Sequence, residues 1–174
     1  HISRGKIENI LHLIEQLRDL DINPNRADLR YAQYLAKAEN DLSALNYLSD
    51  ILKSKDRDSK RLRSARAVYA ARSGDSNLAR EDLAMLRSIR KNDLKVESIE
   101  CEILIAEGKP FDAYRLHNRH SLKDAGDWSL RGRILDAIIE NSDIGISELK
   151  NYREERRKIK SRYDENDSGL LFDE

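Results

Sequence analysis

Apolar residues recur at helical spacing in short blocks, each closed by a polar turn. Residues 6–20 carry Ile7, Ile10, Leu11, Ile14 and Leu17 on one stripe, with Leu13 and Leu20 widening it toward a second face. Pro24 marks the stop of that block, and residues 25–38 then place Tyr31, Ala32, Leu35 and Ala38 together. Asp41 stands as the expected N-cap of a helix carrying Leu45, Leu48, Ile51 and Leu52. After a polar stretch, Leu62, Ala65 and Tyr69 form a stripe that ends at Gly74, and Asp75 or Ser76 opens a helix with Leu78, Ala79, Leu83, Leu86 and Ile89. Asn92 or Asp93 starts the next block, with Ile99, Ile103 and Leu104 ahead of Gly108. Pro110 suits a first helical position, where its missing N–H would have no partner anyway, and Phe111, Ala113 and Tyr114 follow. A further helix is expected near Asp127 and Trp128, with Leu135, Ile138 and Ile139; Ser142 and Asp143 lead from it to a last helix over residues 147–163. That last stripe is narrow, Leu149, Tyr152, Ile159 and Tyr163, with Arg156 where an apolar residue is expected.

The blocks keep a common phase. Ile10, Ala44, Ala79, Ala113 and Ser147 are separated by 34, 35, 34 and 34 residues. Five residues before each stand Gly5, Glu39, Gly74, Gly108 and Ser142, a turn signal, and twelve before the last four stand Ala32, Ala67, Cys101 and Leu135. Such a period denotes an array of helix pairs, each unable to bury its apolar face without a neighbour. The pattern predicts an all-α chain with one array over residues 1–163, a closing, largely solvated helix over about 147–163, and a mobile acidic tail over 164–174. The two-sided stripe of residues 6–20 wants a further neighbour, so self-association through that helix is expected.

Composition narrows the function. Apolar residues at 39% and charged residues at 37% suit a thin stack, which has more surface per residue than a sphere. The 32 basic and 32 acidic residues cancel, so a charged partner must read a local patch. A lone cysteine, Cys101, forms no internal disulfide and suits a reducing compartment, the cytoplasm; no stretch is apolar enough for a membrane span. Beginning at His1, without Met and in mid-repeat, the sequence reads as part of a longer protein.

Two helices per period, small residues at the helix crossings and Gly-Asp or Gly-Lys at the turn resemble the tetratricopeptide repeat (TPR) family over about residues 5–152. Ala67, Gly74, Ala79 and Leu83 match its pattern at four positions, and Ala32, Ala44 and Leu48 match with Glu39 in place of Gly. Only Pro24 stands near a unit end where the family has proline, and His117 replaces a bulky apolar residue. The resemblance implies a right-handed solenoid of about four to five antiparallel helix hairpins, whose first helices line a concave groove for a peptide. Carried over in phase, the groove residues are Arg26, Arg30, Gln33 and Lys37, then Arg61, Ser64, Val68 and Arg72, then Lys95, Ile99 and Glu102, then Arg133, Asp136 and Glu140. The family's clamp for carboxylate tails is not implied, because Leu29 and Gln33 stand at its Lys and Asn positions. The expected partner is a protein or peptide, acidic or mixed in charge, with apolar anchors.

Catalytic chemistry is not indicated. No Gly-rich phosphate loop or Ser-His-Asp set is visible, and neither enzyme activity nor a cofactor is expected. His117, His120 and Cys101 lack the fourth ligand of a structural zinc site, so Cys101 is expected to fill a helix crossing instead. The run Arg153, Arg156, Arg157, Lys158, Lys160 and Arg162 is broken by Glu154 and Glu155 and reads as a solvated helix face. The alternative function is an RNA-binding helical array, whose members carry a more consistently basic surface than this chain.

Overall fold

The structure, a computed structural model, describes residues 24–53, 59–89, 93–119, 125–140 and 144–163, together with Asn9, His12, Leu13 and Gln16. The expected tail at 164–174, most of the helix over 6–20, Asn92 and His120 lie outside the described residues. Among the described residues the regular structure is entirely helical, with no strand. Packing divides the chain into two compact units, His1–Ile89 and Arg90–Glu174.

The first unit contains α1 (Pro24–Ala38), α2 (Asp41–Leu52), α3 (Lys60–Arg72) and α4 (Ser76–Ile89). Each packs on the next, and α1 also lies against α3, so the two first helices of successive pairs are neighbours. The crossings use the phased small residues: Ala32, Ala44, Ala67 and Ala79 are all completely buried. Leu48, Leu62 and Leu83 fill the space between them, each contributing about 2 kcal/mol of apolar burial. Tyr31 meets the edge of Tyr47 at 4.7 Å, joining α1 to α2. Ile89, expected on the core stripe, is 50% exposed at the last residue of α4.

The second unit contains α5 (Leu94–Ala106), α6 (Pro110–His117), α7 (Ala125–Ile139) and α8 (Ile146–Tyr163). It repeats the pairing scheme, each helix on the next and α5 against α7. Cys101, Ala113, Leu130, Ile134 and Ile138 form its core, with Tyr114, Leu116 and Tyr152 packed at the margin. Cys101 and Ala113 meet at the α5–α6 crossing, the thiol 3.6 Å from the Ala113 carbonyl oxygen. Burial, with the nearby Glu100, Glu102 and Glu97 in support, pushes that thiol up to about 12. Ser147 departs from the phased pattern: in the first turn of α8, ahead of any crossing, it is exposed.

The turns explain where the helices stop. Gly74 has φ 88° and Gly108 φ 72°, the left-handed region that a side chain disfavours. After α3, Asp75 N–H donates to the Ala70 carbonyl at 2.8 Å and Gly74 N–H to Ala71 at 3.1 Å. After α5, Lys109 N–H donates to Leu104 at 2.8 Å and Gly108 N–H to Ile105 at 3.0 Å. Both are Schellman closures, in which two backbone donors satisfy carbonyls the helix end leaves open. Helix starts follow side-chain caps. Asn40, rather than Asp41, caps α2, because its extended backbone (φ −174°) lets its side chain accept from Ser43 N–H at 2.9 Å, leaving Asp41 as the first helical residue. Ser59 accepts from Leu62 N–H, Asp75 from Leu78 N–H and Asp93 from Lys95 N–H, and Pro110 opens α6.

Candidate interaction faces

On α1, Arg26, Arg30, Gln33 and Lys37 follow the i, i+4, i+7, i+11 spacing of one helical stripe. The three basic residues are exposed and Gln33 is half-buried. The only acid of α1, Asp28, is completely buried and accepts a hydrogen bond from the Tyr47 hydroxyl at 2.7 Å. Helix α3, against α1, carries Lys60, Arg61, Arg63, Arg66 and Arg72 and no acid. Its bases serve two different ends. Asp82 of α4, completely buried, accepts from Arg63 Nη1 at 2.9 Å and from Arg66 through Nε at 2.8 Å and Nη2 at 2.7 Å. Lys60 and Arg61 remain at the surface; Ser64 and Arg72 are half-buried. Val68, expected to face a ligand, is instead 3% exposed within the helix packing.

The face of α5 and α7 is built differently. Lys95 is exposed, but Ile99 is 4% exposed and belongs to the packed interior. Glu102, also buried, is held by the Arg133 guanidinium, which additionally donates from Nη1 to Ser129 Oγ at 2.8 Å. Asp136 accepts from Arg156 Nε at 2.8 Å and Nη2 at 3.0 Å. Three residues expected to face a partner, Glu102, Arg133 and Asp136, are thus engaged in ion pairs that tie α5, α7 and α8 together. Glu140 is exposed at the end of α7. Arg156 occupies an apolar position because its planar head lies over Gly132, whose added Cβ would sit 3.5 Å from Cζ. A second link to α8 runs through Glu155, which accepts from Arg131 Nε at 2.8 Å and from the Tyr114 hydroxyl at 2.9 Å. The Arg131 guanidinium lies 3.8 Å from the centre of the Tyr114 ring, and burial, then that hydrogen bond to Glu155, raises the Tyr114 pKa.

Sequence reasoning missed Asp82 and Lys60. Asp82 lies 19 residues after Arg63, the separation that also joins Asp28 to Tyr47, so the repeat period offered a signal for it. His117 is buried at the end of α6, and among the described residues no group of three or more His, Cys, Asp or Glu side chains converges as metal ligands would. Among the described residues no helix is long and apolar enough to cross a membrane. Leu13, on the helix expected to self-associate, is 56% exposed.

Comparison of the chain with models of protein families, with curated proteins and with solved structures finds no match. The functional reading therefore rests on the residues themselves.

Proposed function

We propose that this chain is a protein-interaction module of tetratricopeptide-like hairpins whose first helices receive a peptide segment or helix of a partner. The observation that carries the reading is the repeated pairing scheme: in each unit the first helices lie side by side, and phased small residues are buried in the α1–α2, α3–α4 and α5–α6 pairs. The twice-used Schellman closure, one period apart, supports the same architecture. In such an array the first helices form a shared surface broad enough for an extended or helical ligand. Each ion pair described above joins two helices.

Selection from a random displayed-peptide library against the whole 174-residue chain tests this. Selected peptides are expected to bind at micromolar concentrations and to weaken on substitution of exposed first-helix residues such as Arg26 or Arg61. Substituting Leu42, exposed on the second helix α2, is expected to leave binding unchanged. Failure to select any peptide, or tight binding of mixed-sequence RNA that persists at physiological salt, would overturn the reading in favour of a nucleic-acid array.

A further inference from the structure

We propose that Met85 on α4 is a modification site for peroxide, and that Arg63 captures the oxygen of the resulting sulfoxide, adding a charge-assisted hydrogen bond beside the buried Asp82 bridge. The site is independent of the peptide-binding role.

The chain holds one cysteine and one methionine, and the fold treats the two sulfurs oppositely. Cys101 is 1% exposed and its thiol stays protonated far above neutral pH, so an aqueous peroxide meets no thiolate. Met85 is 48% exposed, and a thioether reacts without losing a proton. Of the two sulfurs, Met85 is the one a dissolved oxidant reaches in the folded chain.

The surroundings of Met85 set it apart from an ordinary surface methionine. Arg63 Nη1 donates to Met85 Sδ at 3.1 Å, and the same nitrogen donates to Asp82 Oδ1 at 2.9 Å. Nη1 carries two hydrogens, one for each acceptor, and the two acceptors stand three residues apart on one helix. Thioether sulfur is a weak acceptor. A sulfoxide oxygen is a strong one, and its bond to a guanidinium is charge-assisted. Asp82 does not depend on Arg63 alone, because Arg66 holds it through Nε at 2.8 Å and Nη2 at 2.7 Å. Arg63 is therefore able to turn toward a new oxygen while the buried carboxylate keeps a counter-charge.

The oxidation is a single oxygen transfer. A sulfur lone pair attacks one oxygen of hydrogen peroxide, the S–O bond forms as the O–O bond breaks, and the proton on the transferred oxygen passes to the departing hydroxide, which leaves as water. Sulfur is oxidised by two electrons and peroxide is reduced by the same two. One lone pair of Sδ is engaged by Arg63, so peroxide meets the other and one sulfoxide epimer predominates. Rotation about the Cγ–Sδ bond of the unbranched side chain then brings the oxygen to the Nη1 hydrogen. The surface changes as well. Met85 and Ile89, four residues apart on α4 and each about half exposed, form an apolar pair into which the sulfoxide places a polar group.

Treatment of the whole 174-residue chain with hydrogen peroxide tests the proposal. Mass spectrometry is expected to find one added oxygen, on Met85. After digestion, each of the two epimer-specific sulfoxide reductases restores only its own share of the Met85 peptide, which gives the epimer ratio. One epimer is expected in about threefold excess when the folded parent is oxidised, and near-equal amounts when oxidation is done in unfolding urea or on Arg63→Leu. Oxidation should raise the urea midpoint of the parent and not that of Arg63→Leu. Met85→Gln, whose amide oxygen stands in for the sulfoxide oxygen, should unfold at higher urea than Met85→Leu, a comparison that leaves Arg63 in place. Oxidation at Cys101 ahead of Met85, equal epimers in the folded parent, an excess that Arg63→Leu retains, an oxidised parent whose midpoint does not rise, or Met85→Gln no more stable than Met85→Leu overturns the proposal.

Discussion

Arg63 and Asp82 meet across the α3–α4 pair at 2.9 Å, and Asp28 and Tyr47 meet across α1–α2 at 2.7 Å, both over a separation of 19 residues. Positions 63 and 82 follow 28 and 47 by the same 35 residues, so these are one register position of the repeat filled by different chemistry. In both pairs a buried carboxylate is joined to the other helix, but it comes from the first helix in one and the second in the other. The repeat keeps the place of the polar bridge while its polarity reverses.

Removing the acid should therefore do more harm than removing the hydroxyl. Asp82→Asn leaves the guanidinium groups of Arg63 and Arg66 largely buried without their counter-charge, and a loss of about 3 kcal/mol is expected in urea unfolding. Tyr47→Phe, which removes one hydrogen bond to Asp28, should cost about 1 to 2 kcal/mol. Equal and small shifts in the two variants would contradict this account of the bridge.

Ala79→Leu should destabilise the chain by about 1 to 3 kcal/mol, because the added atoms enter a crossing with no room and force neighbours off their rotamers. Ala84, exposed on the same helix, is the control, and Ala84→Leu should move the unfolding midpoint little. An unchanged midpoint for Ala79→Leu would mean that the crossing is loosely packed.

Two glycines should respond with opposite signs. Gly74→Ala costs about 1 to 2 kcal/mol through the backbone alone, since φ is 88° although nothing lies within 4 Å of the added Cβ. Gly132→Ala meets only ordinary contact with the Arg156 head in a helix interior, so it should raise stability by about 0.5 to 1 kcal/mol. Thermal melts of the two variants give the comparison directly.

Stability should fall at alkaline pH for a stated reason. Burial pushes the Tyr69 hydroxyl up to about 12 from its ordinary value of 10.0, with Arg72 opposing and Asp41 adding to the shift. The folded chain thus holds that proton more tightly than the unfolded chain, so its contribution is complete below about pH 10 and is lost as pH rises toward about 12. Urea midpoints measured from about pH 8 to about pH 11 should decline less steeply in Tyr69→Phe than in the parent.

Helix order, the small residues at the crossings and the glycine turns were legible in the sequence, because each depends on local spacing or on a backbone conformation that only certain residues tolerate. Ala67, Gly74 and Ala79 are instances, and all three stand as that spacing required. The ion pairs were not legible. A buried Asp82 and an exposed acid look alike in a string of letters until the opposite helix is in place, and Arg156 reads as a flaw in a stripe until Gly132 and Asp136 are seen beneath it. The candidate surface was half legible for the same reason: spacing marks the exposed stripe of α1, whereas Glu102, Arg133 and Asp136 are claimed by neighbours distant in sequence.

Cys101 gives the second unit a clock. It is 1% exposed and its thiol stays protonated until far above neutral pH, so a thiol reagent finds neither access nor nucleophile while α5 and α6 remain together. As the chain's single cysteine it yields one signal, without competing sites. The rate at which an aromatic disulfide labels it then measures how often that helix pair opens, and comparing the rate with and without a bound peptide reports whether occupancy of the protein slows the opening.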